Sequence, residues 1–215
     1  MKACIIGATG ATGRELVSQL LADSSFDSIT CLVRRNTLTK HPKLKEIVID
    51  FDKPNEWEKY LADIDVAFSC LGTTIKDAGS KDNQYRIDYT YQFAFAQAAS
   101  KYHVPRYVYI SSANADARAR LFYPRIKGEL DNSIASLPIK QIIVVRPNLL
   151  DRKDTDRSGE KIALWILNIM NKVGLFNKYR PIKTAQVAHA MISLSKESYL
   201  PHHPFIVKGN ELYAY

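Results

Sequence analysis

Short apolar runs alternate with amphipathic stretches over the first two thirds of the chain. Runs rich in Ile, Val, Tyr and Phe occupy residues 2–6, 28–33, 46–50, 65–70, 105–111 and 139–145, and their length and composition predict buried strands. Between them the apolar positions recur at helical spacing. Leu16, Val17, Leu20 and Leu21 form one face, Tyr85, Tyr89, Phe93 and Ala96 a second across residues 84–102, and residues 124–136 carry a third. Strand and helix in alternation predict an α/β fold with a parallel sheet covered on both faces, and right-handed crossovers make it doubly wound.

After Pro147 the rhythm changes. Residues 151–160 are polar, and Ile162, Trp165, Ile166, Ile169, Met170 and Val173 then mark one apolar stripe of a helix. A last helix is expected near residues 184–195 and a strand near 204–208. No repeat, low-complexity tract or linker interrupts the chain, so residues 1–215 are expected to form one domain, with 148–183 a small substrate or cofactor-closing region within it.

The first strand runs directly into Gly7-Ala8-Thr9-Gly10-Ala11-Thr12-Gly13, after which helical periodicity begins. A glycine triplet at a strand end and helix start is where a pyrophosphate-binding turn belongs. Gly7 would permit the turn, Gly10 would let the backbone approach the anion, and Gly13 would let helix and strand pack closely. The helix N-terminal amides would then face the pyrophosphate. After the second strand, where an acid would bind the ribose hydroxyl of NAD, stand Arg34 and Arg35. Two guanidiniums suit a 2′-phosphate, so the expected cofactor is NADP(H). Asp50 and Phe51, at the end of the third predicted strand, are placed either at the adenine or at a solvated strand end.

Tyr-x-x-x-Lys puts a phenol and an ammonium one turn apart on a helix, where the ammonium favours exchange of a proton by the phenol. The pattern occurs at Tyr123 to Lys127 and at Tyr179 to Lys183. In the second, Pro181 falls in mid-motif and predicts a turn entering a short extended segment. In the first, Pro124 sits where a helix tolerates it, and the pair follows a strand ending in Ser111 and Ser112. Either serine can share a substrate oxygen with Tyr123, because ligands bind at the carboxyl ends of parallel strands.

In this order, the glycine turn, the strand-end serines and the Tyr-Lys pair resemble the short-chain dehydrogenase/reductase superfamily in its compact atypical division. Cys70-Leu71-Gly72-Thr73-Thr74, with Ala78-Gly79-Ser80, Lys127-Gly128-Glu129, Arg146-Pro147 and Arg157, is similar to the Tat-interacting-protein oxidoreductase group. The resemblance spans nearly the whole chain. It implies a Rossmann fold that binds NADPH through Gly10, Ala11, Thr12, Gly13, Arg34, Arg35, Leu71, Gly72 and the adjoining Thr73, with Tyr123 as acid/base and Lys127 on the nicotinamide ribose. Leu150 and Arg157 would close over the cofactor. Superfamily spacing favours Ser112 over Ser111. The chain departs from the wider superfamily in carrying Asp88 where ordinary members have an Asn supporting a proton relay.

Composition bounds the rest. With 215 residues, 46% of them hydrophobic and 24% charged, the chain buries a core without disulfide or metal staples, which excludes a small scaffold or a disordered tail. Cys4, Cys31 and Cys70 lie in predicted strands with no two at metal-ligand spacing, so structural thiols and no metal are expected. Those thiols and an N-terminus that reaches Gly7 without an apolar leader predict a cytoplasmic protein. No apolar run approaches the ~20 residues of a membrane span. The net charge is +8, and residues 108–215 hold 16 Lys and Arg against 9 Asp and Glu. They form no block and no nucleic-acid-binding motif accompanies them, which argues for no nucleic acid, while Arg118, Arg120, Arg125, Arg152 and Lys153 fall around the predicted site entrance and predict an anionic small-molecule carbonyl substrate or partner. The polar stretch 72–83 reads as a lid over the nicotinamide. A second function class stays open, an NADPH-sensing regulator acting through a protein partner. The aromatic face of the 84–102 helix is either a homodimer surface or ordinary packing of helix on sheet.

Overall fold

The structure, a computed structural model, describes residues 1–151 and 181–215. Strands β1 (Lys2–Ile6), β2 (Ser28–Val33), β3 (Leu44–Val48), β4 (Val66–Ser69), β5 (Arg106–Ile110) and β6 (Gln141–Arg146) fall where apolar runs predict them. Only β3 differs appreciably, ending at Val48 because its register against β2 pairs Ile29 with Leu44 and Val33 with Val48. A further pair, β7 (Leu150–Asp151) with β8 (Ile182–Lys183), stands apart from the main sheet, and β9 (Phe205–Lys208) completes the strands. The main sheet runs β3-β2-β1-β4-β5-β6-β9, every pairing parallel.

The strand sequences read as continuous apolar runs because both faces are covered. On one face Ala3 and Ile5 of β1 meet Leu16, Val17 and Leu20 of α1 (Ala11–Ala22) and Val187, Met191 and Leu194 of α7 (Thr184–Lys196). On the other, Cys4 and Ile6 meet Trp57 of α2 (Pro54–Trp57), Phe95 and Ala99 of α5 (Tyr91–Lys101), and Leu130 and Ile134 of α6 (Phe122–Ala135). Cys4 and Cys31 are buried in this packing, as structural thiols.

The stretch predicted as a polar lid contains α3 (Ile75–Ala78), and α4 (Lys81–Tyr85) begins within it. Thr74 and Ser80 cap them, accepting the N–H groups of Asp77 and Asn83. Sequence periodicity missed these helices because each is barely one turn long. The following long helix begins earlier than its aromatic spacing suggests and passes through a π-helical turn at Arg86–Thr90 before α5. Tyr85, Tyr89 and Phe93 stack successively along its partly buried side, while Phe95, Ala96 and Ala99 face the sheet.

Sheet order reverses between β1 and β4, which opens a crevice at their carboxyl ends. The chain leaves this region through β7 and returns through β8, whose pairing joins Leu150 to Ile182. The extended segment predicted for Pro181–Lys183 is thus β8. The amphipathic helix expected across residues 162–173, and Tyr179 and Arg157, lie outside the described residues.

Candidate active site

The turn after β1 divides its glycines among three jobs. Gly7 adopts φ +77°, and a Cβ there would lie 2.4 Å from the Cys70 carbonyl carbon, so both conformation and space demand glycine. A Cβ on Gly13 would lie 2.0 Å from the Gly7 oxygen, which is the close helix-strand approach expected of it. Gly10 is different: φ is −75°, and a Cβ would meet nothing nearer than the Gly7 oxygen at 3.3 Å. The fold itself barely needs Gly10, which is exposed at the N-cap of α1 facing the cavity. Among the described residues no side chain caps that helix, and its first turn carries no acid, so its N-terminal amides suit an anion.

A cavity of about 720 Å³ spans the crevice. Its floor is Gly10, Ala11 and Thr12 from the glycine turn and Cys70, Leu71, Gly72 and Thr73 after β4. Ser111 and Ser112 line it from the end of β5, Tyr123 and Lys127 from α6, and Asn148 to Leu150 from the segment after β6. A smaller space of about 70 Å³ continues past the turn, bordered by Gly7, Thr9, Arg34, Phe51 and Leu71. Together they bring most of the sequence-predicted site residues into one groove. Arg35 and Asp50 border neither space; the Asp50 carboxylate instead accepts the Asp52 N–H at 3.0 Å in a turn.

Two buried carboxyl groups fix the cavity wall that Lys127 and Ser111 line. Lys127 is 1% exposed, with its Nζ 3.7 Å from Asp88 Oδ1, and Asp88 Oδ2 accepts the Thr73 N–H at 3.2 Å. Burial raises the Asp88 carboxyl above its usual range, and the Lys127 charge opposes that rise. The π-helical turn makes this contact possible, since Asp88 lies within it. The second group is Asp131, which accepts from Tyr109 Oη at 2.9 Å, from Ser111 Oγ at 2.8 Å and from Arg146 Nη2 at 2.7 Å. Burial and this carboxylate push the Tyr109 phenol far up, keeping it a donor.

These contacts separate the two serines. The Ser111 hydroxyl is committed to Asp131, whereas Ser112, one residue on, is half-buried on the cavity wall. Sequence reasoning passed over Asp131, although Tyr123, Lys127 and Asp131 stand at successive four-residue steps and so share one face of α6. A Cβ on Gly128 would lie 2.1 Å from Ala117 N, so the β5-to-α6 loop rests directly on this helix and carries Ser112 towards it.

Comparison with known proteins gives the family and the fold. A family model described as NAD(P)H-binding matches residues 7–197. Protein FMP52, mitochondrial, of Eremothecium gossypii is 32% identical over 161 residues, covering 74% of this chain and 71% of the relative. Protein HTATIP2 of Rattus norvegicus is 32% identical over 164 residues, covering 74% and 67%. Among solved structures, Bordetella bronchiseptica WbmG in complex with NAD has a TM-score of 0.72 at 15% identity, covering 96% of this chain and 72% of that one. A short chain dehydrogenase family protein from Francisella tularensis gives 0.68 at 15% identity, covering 100% and 99%. At such identities the structures speak to the fold, which is the Rossmann fold expected. The fungal relatives' names place them in mitochondria, which overturns the cytoplasmic expectation. Reduced thiols argue against an oxidising route and do not separate cytosol from organelle interior. Among the described residues no helix is long and apolar enough to cross a membrane, and no His, Cys, Asp or Glu cluster could hold a metal. With its glycine turn, switch-point crevice and matched residues 7–197, the chain belongs to the NAD(P)H-binding family and has the Rossmann fold.

Proposed function

We propose that the protein is an NADPH-dependent oxidoreductase that reduces a small carbonyl compound. The observation carrying this reading is that Tyr123, Lys127 and Ser112 line the same cavity as the uncapped Gly10 turn. The residues fit the dinucleotide: Gly10 to Thr12 and the α1 amides for the pyrophosphate, Phe51 at the adenine end, and Arg34 beside it for a 2′-phosphate. When bound, the dinucleotide supplies the hydride. Tyr123 donates its phenolic proton to the carbonyl oxygen, Ser112 holds that oxygen by a hydrogen bond, and Lys127 eases loss of the phenolic proton through its positive charge. In this reading residues 1–215 act as one domain with 148–183 as its closing region, which the pairing of β7 with β8 and the place of Leu150 on the cavity wall support. Exposed Arg118 and Arg120, on the loop that carries Ser112, favour an anionic substrate. A mitochondrial location goes with this reading.

The test is NADPH oxidation with a panel of aldehydes and ketones. Tyr123→Phe is expected to lower turnover by about 10²- to 10⁴-fold with dinucleotide affinity unchanged. Undiminished turnover would remove Tyr123 from the chemistry.

A further inference from the structure

One buried charge has no part in the scheme above. Asp88 is fully buried, and among the described residues no donor stands within hydrogen-bond distance of its Oδ1, the Lys127 Nζ lying 3.7 Å away. Its other oxygen is tied to the Thr73 N–H, which fixes the carboxylate against a wall of the cavity that Thr73 and Lys127 share. Lys127 is the group whose charge acts on Tyr123, one turn away on the same face of α6. A negative charge held beside that ammonium, in a place with little solvent to screen it, must cancel much of its effect.

We propose that Asp88 is a positioning residue for proton transfer, its negative charge offsetting Lys127 so that the Tyr123 phenol stays protonated, as a donor, at neutral pH. The inference rests on the reading of Tyr123 as the acid/base. An Asn at this place, as in the wider superfamily that the sequence resembles, would leave the ammonium uncompensated.

The other charges around the site are mostly matched among themselves. On α6, Arg125 faces Glu129 at 3.8 Å, and Asp131 is answered by Arg146 from β6. In the π turn Arg86 pairs with Asp52. On α3 Asp77 accepts from Thr74, and from α4 Lys81 sits over the Phe122 ring while Tyr85 faces Glu129. Cys70 from the β4 end and Tyr109 from β5 are neutral, since burial raises both. Among the described residues Asp88 is therefore the charge whose removal most directly exposes Tyr123 to Lys127.

Titration of the full chain labelled with ¹³Cζ-tyrosine, followed by NMR without dinucleotide, reads the Tyr123 midpoint directly; Tyr123→Phe identifies its resonance. Asp88→Asn keeps an oxygen to accept the Thr73 N–H, so a merely structural role predicts no change. The charge role predicts a fall of about one pH unit, and the Asp88→Asn/Lys127→Met double variant, which restores neutrality, should return near the wild-type value. Lys127→Met alone should raise the midpoint, giving the same test with opposite sign if Asp88→Asn does not fold. An unmoved or raised midpoint in Asp88→Asn overturns the inference. A moved midpoint in a protein that turns over no carbonyl compound upholds the charge balance and counts against the reductase. Turnover with an unmoved midpoint does the reverse.

Discussion

The Arg146 guanidinium, at the end of β6, and the buried Asp131 carboxylate, on α6, form a largely buried ion pair with both Nε and Nη2 donating to one oxygen, at 3.1 and 2.7 Å. Because Ser111 donates to that same oxygen, the pair locks the ends of β5 and β6 to the helix bearing Tyr123 and Lys127. Removing one partner leaves the other buried without compensation. Asp131→Leu should cost about 3–5 kcal/mol of unfolding free energy, and Asp131→Leu/Arg146→Met should recover a large part of it. Urea unfolding of the three proteins measures both, and equal losses in the single and double variants would show that the pair does not hold these elements together.

The glycine turn offers a cleaner separation of fold from binding. Gly13→Ala would drive a methyl into the Gly7 oxygen, whereas Gly10→Ala meets only a 3.3 Å contact at an ordinary φ. Gly13→Ala should lower stability by about 3 kcal/mol or more, and Gly10→Ala by about 1 kcal/mol or less. Gly10→Ala should nevertheless weaken dinucleotide binding by at least about tenfold, through a methyl placed between the helix amides and the pyrophosphate. Thermal unfolding paired with fluorescence titration by NADPH decides it; unimpaired binding by Gly10→Ala would displace the pyrophosphate from this turn.

That separation also shows why some of the site was legible in the chain and some was not. Gly7, Gly10 and Gly13 carry their roles in spacing alone, since a turn between strand and helix admits few arrangements. Tyr123 and Lys127 were legible as a pair one turn apart. Asp88 and Asp131 were not, because their partners Thr73, Lys127, Ser111 and Arg146 come from other elements, and neither register nor the π turn that aims Asp88 has a signature in one sequence. The shift of β3 has a similar origin: the Asp50 carboxylate is drawn into a turn with the Asp52 N–H, so the strand stops two residues earlier than its apolar run.

Acid should loosen the contact between α1 and α7. Burial is the largest single influence on the Asp23 carboxyl and raises it, but hydrogen bonds from Lys196 and Ser25 together outweigh it and bring the group from 3.8 down to about 2. A carboxyl lowered on folding stabilises above its unfolded value, near 4, and that contribution disappears as pH falls towards 2. Lys196→Met should therefore be less stable than the parent at pH 7 and indistinguishable from it near pH 2, by a margin of at most about 1 kcal/mol for so exposed a pair. Denaturant midpoints across that pH range give the answer, and a difference that persists at pH 2 would assign the effect of Lys196 to packing instead.

Cofactor choice turns on Arg34 more than on Arg35, since Arg34 borders the space beside Phe51 and Arg35 borders neither cavity. A guanidinium that pairs with a 2′-phosphate loses charge-assisted hydrogen bonds when truncated, about 1.5–3 kcal/mol, which is about 10- to 100-fold in affinity. Arg34→Ala should weaken NADPH binding by that factor and leave NADH binding within about twofold, whereas Arg35→Ala should change the ratio much less. Calorimetric titration of both dinucleotides into the three proteins is the measurement. Equal weakening towards NADPH and NADH would mean that Arg34 contacts a part common to both, and would count against the proposed choice of the phosphorylated cofactor.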